Sequence, residues 1–124
     1  MERKMNILIA EDNVMNQELI RYLIQSRGWE CRVVDDGQEA LEEVGRARYD
    51  VILMDIQMPR MNGIEATRAI RHRDHLMPII AITAAHEAEV KAESLRAGMN
   101  DLICKPYRKE DLFSSIERCL SKSA

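Results

Sequence analysis

Five side chains of this 124-residue chain could do chemistry together if the fold gathers them. Asp55 closes the apolar run Val51-Ile52-Leu53-Met54 and opens a polar segment that continues to Gly63. Glu11 and Asp12 follow Ile7-Leu8-Ile9-Ala10, Thr83 follows Ile79-Ile80-Ala81-Ile82, and Lys105-Pro106 follows Asp101-Leu102-Ile103-Cys104. Open α/β sheets bind their ligands at the carboxyl ends of such buried strands. Three carboxylates, one hydroxyl and one ammonium suit a divalent cation and a phosphoryl group. Carboxylates clustered without a counter-ion repel one another and resist ionisation. Mg²⁺ relieves this, because it takes one or two carboxylates together with waters and phosphate oxygens. A carboxylate can attack phosphorus to give an aspartyl phosphate, a reaction that needs charge neutralisation on the equatorial oxygens more than it needs a base. Lys105 and Thr83 could contribute to that neutralisation. Each residue also has an ordinary reading. Glu11 and Asp12 could cap a helix, Asp55 could form a turn, Thr83 could be a plain strand residue and Lys105 a solvated lysine. Their joint placement at strand ends favours the site.

The elements that would position these residues are short apolar strands alternating with amphipathic helices. Strands are expected near residues 5–10, 30–34, 50–54, 78–82 and 101–104, each short, aliphatic and bounded by polar or turn residues. Helices are expected between them. From Asn13 to Arg27, Met15, Leu19, Ile20, Leu23 and Ile24 share one face, and Gly28 stops the helix. From Gly37 to Arg46, Ala40, Leu41 and Val44 form a stripe behind an Asp36 N-cap. Gly63 to Arg71 carries Ile64 and Ile70; Arg108 to Leu120 turns Leu112, Phe113, Ile116 and Leu120 inward. The helix from His86 to Ala97, ended by Gly98, has only Val90 and Leu95 as large apolar residues, so it buries little and should move readily. This alternation gives an α/β fold: a doubly wound parallel sheet with right-handed crossovers and helices on both faces. The flavodoxin-like order 2-1-3-4-5 is the natural one for five strands, and it sets Glu11, Asp12 and Asp55 side by side.

Composition narrows the function. The length fits a single domain spanning residues 1–124. Aromatics make up 4%, so the core must be aliphatic and Met-rich, with Met54, Met58 and Met61 filling it. A formal charge of −3 does not favour a nucleic-acid surface. Cys31, Cys104 and Cys119 match no zinc or CxxC spacing; Cys31 and Cys104 read as small buried hydrophobes in a reducing compartment. His72 and His75 read as a solvated turn, and His86 as the start of the fourth helix, close to the site. The longest apolar run, Leu76 to Ala85, falls short of the roughly 18 residues that span a bilayer. A soluble, cytoplasmic domain without direct membrane contact is expected, compatible with a membrane-bound parent chain.

These residues resemble the receiver domain of two-component response regulators, over essentially the whole chain. The resemblance rests on Glu11-Asp12-Asn13, the run LMDIQMPRMNG around Asp55, Thr83-Ala84, and Lys105-Pro106, in that order and spacing. EDNVMNQELI and MDIQMPRMNGIEATRAIR are most similar to receivers attached to hybrid sensor histidine kinases. The resemblance implies a (βα)₅ three-layer sandwich that accepts a phosphoryl group from a phosphohistidine onto Asp55. Glu11, Asp12, Asp55 and the Gln57 backbone carbonyl would hold Mg²⁺, with Mn²⁺ as a substitute. Lys105, joined to Pro106 by a cis peptide, would pair with the phosphoryl oxygens. Thr83 would shift toward the phosphoryl group and carry the 83–90 segment with it. Gln57 and Ala85 would tune self-dephosphorylation, so the domain promotes its own chemistry without being a stand-alone enzyme. The implied partners are the phosphohistidine domain of a histidine kinase and a histidine phosphotransfer domain. Two positions depart from the family pattern: Leu102 stands where receivers commonly carry the aromatic switch residue, and Glu11 replaces the more frequent Asp.

Three other functions are weaker. A flavin or nucleotide binder would offer free N–H groups where Glu11 and Asp12 stand. A dehalogenase-like hydrolase needs an acid/base two residues after the nucleophile, where Gln57 cannot serve. An unphosphorylated interaction module would have no use for the complete set of five.

Overall fold

The structure, a computed structural model, describes residues 4–85 and 87–123. The strands are β1 (Asn6–Ala10), β2 (Glu30–Val34), β3 (Val51–Asp55), β4 (Ile79–Thr83) and β5 (Asp101–Cys104). The helices are α1 (Val14–Ser26), α2 (Gly37–Val44), α3 (Gly63–His72), α4 (Ala88–Ala97) and α5 (Lys109–Ser123). The strands form one parallel sheet in the order β2-β1-β3-β4-β5, the flavodoxin-like order the alternation implied.

Alternate residues of each strand feed two aliphatic layers, as the pleat requires. Leu8, Ile52, Met54 and Ile79 join α2 and α3 residues on one face. Ile7, Ile9, Leu53 and Ile80 meet Ile20 and Ile24 of α1 and Leu112 and Ile116 of α5 on the other. Each such fully buried side chain contributes roughly 1.5–3 kcal/mol, so β1, β3 and β4 form the rigid centre. Met54 is part of that core, and Met58 and Met61 pack against it.

Two strand ends fall one residue later than the apolar runs suggested. β3 reaches Asp55 and β4 reaches Thr83, because Asp55 pairs with Ile82 and Thr83 with Cys104 in register. Both candidate site residues are therefore fixed in the ladder rather than set in loops.

The face of α1 differs from expectation. Ile20 and Ile24 are buried with Gln17, while Met15 is 81% and Leu19 51% exposed. The buried stripe runs through positions 17, 20 and 24, and Leu19 lies about 100° around the helix from Ile20. Met15, Leu19 and exposed Tyr22 make a second, outward apolar stripe. The cysteines also differ: Cys31 and Cys104 are only half-buried and Cys119 is the buried one. The strand order explains this, since β2 and β5 are the sheet edges. His72 is the exposed last residue of α3, the turn itself is Arg73-Asp74, and His75, half-buried, lies just beyond it. The expectation for His86 falls outside the described residues; α4 begins at Ala88.

Arg27 fastens one end of the molecule. Its guanidinium carbon lies 4.7 Å from the ring centroids of both Trp29 and Phe113, and it pairs with Glu117 at 3.2 Å. Phe113 thus lies half-buried against Trp29, edge to face, rather than in the deep core.

Candidate functional site

The loop after β1, the last residue of β3 and the residue after β5 converge at the carboxyl edge of the sheet. One carboxylate oxygen each from Glu11, Asp12 and Asp55 lies within 4.8 Å of the others. Glu11 and Asp55 are buried, while Asp12 faces solvent. Lys105 bridges the buried pair, donating from Nζ to Asp55 Oδ2 at 2.9 Å and to Glu11 Oε1 at 3.1 Å. Burial of this ammonium opposes its charge, but the two carboxylates prevail and its pKa is raised. Three carboxylates still outnumber one ammonium. This all-oxygen, acidic donor set, with one exposed member, fits a hard divalent cation that keeps part of its water.

The remaining oxygens are held by the backbone. Asp55 Oδ1 accepts the Gln57 N–H at 3.0 Å, and Glu11 Oε2 accepts the Asn13 N–H at 3.1 Å. The Lys105 N–H donates to the Thr83 carbonyl at 2.7 Å, so β5 delivers the lysine beside β4, and the Lys105–Pro106 peptide is cis. Thr83 is fully buried, and its hydroxyl accepts the Ala85 N–H at 3.0 Å in a local turn. Gln57 itself is exposed. Leu102, half-buried, packs against the helix-α2 and α3 layer together with Val90. It offers no hydroxyl or ring to a switch.

Three supports went unread in the sequence. Gly63 lies against β3: a Cβ there would collide with the Asp55 carbonyl oxygen and approach Met54 Cγ at 2.9 Å. Gln17 donates to the Glu11 carbonyl at 2.5 Å and to Asp35 Oδ1 at 2.8 Å. Its signal was a polar residue on the buried stripe of α1. Arg60 pairs with Asp36, which also caps α2 as its sequence position implies, accepting the Glu39 N–H at 2.8 Å. Nothing in the sequence pattern pointed to Arg60.

Beside the carboxylates opens a cleft of about 340 Å³, lined by Glu11, Asn16, Leu19, Lys105, Pro106 and Tyr107. A (βα)₅ sheet with an acidic triad and a bridging lysine at its carboxyl edge defines the class, and comparison with known proteins agrees. The family "Response regulator receiver domain" matches residues 7–117, and this chain belongs to it. It is 40% identical, over 94% of its length, to hybrid signal transduction histidine kinase I of Dictyostelium discoideum, of which it covers 7%. It is 39% identical over 90% of its length to the autoinducer 2 sensor kinase/phosphatase LuxQ of Vibrio vulnificus, covering 13% of that protein. The chain thus spans a small part of these relatives. Among solved structures, the receiver domain of sensor histidine kinase PA1611 from Pseudomonas aeruginosa PAO1 superposes with a TM-score of 0.89 at 37% identity, covering 96% of this chain and 99% of that one. That structure has a magnesium ion coordinated in its active site cleft. The receiver domain of the Francisella response regulator 1452 gives a TM-score of 0.91 at 27% identity, covering 98% and 100% of the two chains. Residues 7–117 thus form a receiver domain of two-component signal transduction.

Proposed function

We propose that residues 1–124 act as one receiver domain in which Asp55 is the phosphoacceptor. The observation that carries this reading is the Lys105 bridge to Asp55 Oδ2, which pre-aligns one carboxylate oxygen beside a cationic group. In the transfer, an Asp55 oxygen attacks phosphorus in line as the P–N bond of a partner's phosphohistidine breaks, and the electron pair leaves with the imidazole. Lys105 then moves its charge from the carboxylate to a phosphoryl oxygen. Mg²⁺, or Mn²⁺ in its place, would be held by Glu11, Asp12, Asp55 and the Gln57 carbonyl and would neutralise phosphoryl charge. Thr83 would exchange its Ala85 partner for a phosphoryl oxygen, drawing the following segment inward. With Leu102 in place of an aromatic residue, the signal would pass through the position of α4 rather than through a ring flip. Water attack on the aspartyl phosphate, beside Gln57 and Ala85, would reset the domain.

The partner would be a histidine kinase or histidine phosphotransfer domain. Val14, Met15, Leu19 and Tyr22 support this, since they form an exposed apolar surface on α1, and Leu19 among them lines the cleft with Glu11 and Lys105. Among the described residues no helix is long and apolar enough to cross a membrane. We place the domain in the cytoplasm.

Intact mass after incubation with acetyl phosphate tests the reading. A gain of one phosphoryl group with Mg²⁺, lost in Asp55→Asn, is expected. No gain, or an equal gain in the variant, sinks it.

A further inference from the structure

Besides Asp55 at the end of β3, two loops would supply the cation's protein ligands: residues 11–13 after β1, with Glu11 and Asp12, and residues 56–62 after β3, with the Gln57 carbonyl. Each is tied, by a different side chain, to the same third element. That element is the turn Asp35-Asp36 between β2 and α2, which carries no ligand itself.

Gln17 makes the first tie. It is nine-tenths buried, and its single Nε2 donates both to the Glu11 carbonyl and to Asp35 Oδ1. The amide thus clamps the backbone of the ligand-bearing residue to the turn. Arg60 makes the second. Its Nε donates to the buried Asp36 Oδ2 at 2.7 Å, its Nη2 makes a further contact with the same oxygen, and it reaches Glu39 Oε2 at 3.5 Å. The backbone adds the Gly37 N–H to the Met61 carbonyl at 2.9 Å. The two ties meet at Glu39, whose Oε1 accepts the Asp35 N–H at 2.8 Å. Arg60 holds this contact from a backbone at φ +63°, a conformation costly for arginine and free for glycine. A strained, largely exposed arginine aimed at a 2%-exposed carboxylate indicates that the contact constrains the loop.

We infer that Gln17 and Arg60 are positioning residues for the cation site, each holding one ligand-bearing loop against the Asp35-Asp36 turn. The inference rests on the metal-binding reading above. Neither residue touches the cation or the phosphoryl group. Their loss leaves the ligands present but lets their spacing drift, and cation affinity falls with it.

Calorimetric titration with Mg²⁺ tests this, with thermal unfolding in EDTA as the control for fold. Gln17→Met keeps the volume and removes both hydrogen bonds. Arg60→Gly removes the tie while relaxing the backbone, so it separates positioning from stability. Each variant should weaken Mg²⁺ binding, Gln17→Met by about tenfold, with the EDTA unfolding midpoint of Arg60→Gly near that of the wild type. Glu42→Ala, exposed further along α2, should bind as the wild type does. Unchanged Mg²⁺ affinity in both variants overturns the inference and leaves the site reading intact. Affinity lost only in proportion to the EDTA midpoint overturns it too, since the residues would then serve folding alone. A wild-type chain that binds no Mg²⁺ overturns the site reading and the inference together.

Discussion

Helices α3 and α4 are each ten residues long and each follow a strand that ends in a candidate site residue, Asp55 for one and Thr83 for the other. They are built differently. Asn62 and Glu65 close a capping box at the start of α3, and five of its residues are buried, Ile64 and Ile70 among them. α4 starts without a side-chain cap, and its buried residues are the small Ser94 and Ala97. Leu95 is 49% exposed. Apolar area and capped N–H groups decide how readily a helix opens locally. The half of the molecule that would hold reacting groups is therefore fastened, and the half that would report the reaction is loosely seated. A switch needs both, because phosphoryl binding can shift only an element with two arrangements close in free energy.

The widest gap between the two helices should appear on truncation of their apolar side chains. Ile70→Ala should cost about 2–5 kcal/mol in urea unfolding, and Leu95→Ala less than about 0.5 kcal/mol. Similar losses would erase the contrast. Gly63→Ala comes next: overpacking against the Asp55 carbonyl should cost about 1–3 kcal/mol and slow phosphorylation from acetyl phosphate. The caps give the smallest effect and the most direct one. Asn62→Ala should lose about 1 kcal/mol. Glu87→Ser, which places a capping hydroxyl before α4, should gain a few tenths to about 1 kcal/mol and slow amide exchange along α4. A helix α4 that ignores its new cap would show that its looseness lies in packing alone.

Much of this was legible in sequence because the strands of the sheet centre are aliphatic throughout. Ile7-Leu8-Ile9, Val51 to Met54 and Ile79 to Ile82 are buried on both faces, which leaves no ambiguity of period. The poverty of α4 in apolar residues was equally plain. Less legible was anything that depends on which side of a helix meets the sheet. Met15 and Leu19 read as core because apolar stripes on α1 are adjacent, and only the docked helix shows that Gln17 takes the buried place. The Asn62-Gly63-Ile64-Glu65 spacing carries a capping box in plain sight, but the contact between Gly63 and the Asp55 carbonyl depends on how a loop closes over a strand. Arg60 to Asp36 joins residues 24 apart across two loops, and no local pattern encodes that.

The position of Trp29 has a practical side. It is the only tryptophan in the chain, and it lies just before β2 begins, at the amino edge of the sheet, wedged with Arg27 against Phe113. The carboxylates occupy the opposite edge. Its fluorescence should therefore register the detachment of α5 and global unfolding while staying nearly silent to events at Asp55. The chain carries a built-in optical gauge of its own integrity, one that can be read during phosphorylation without being confused with it.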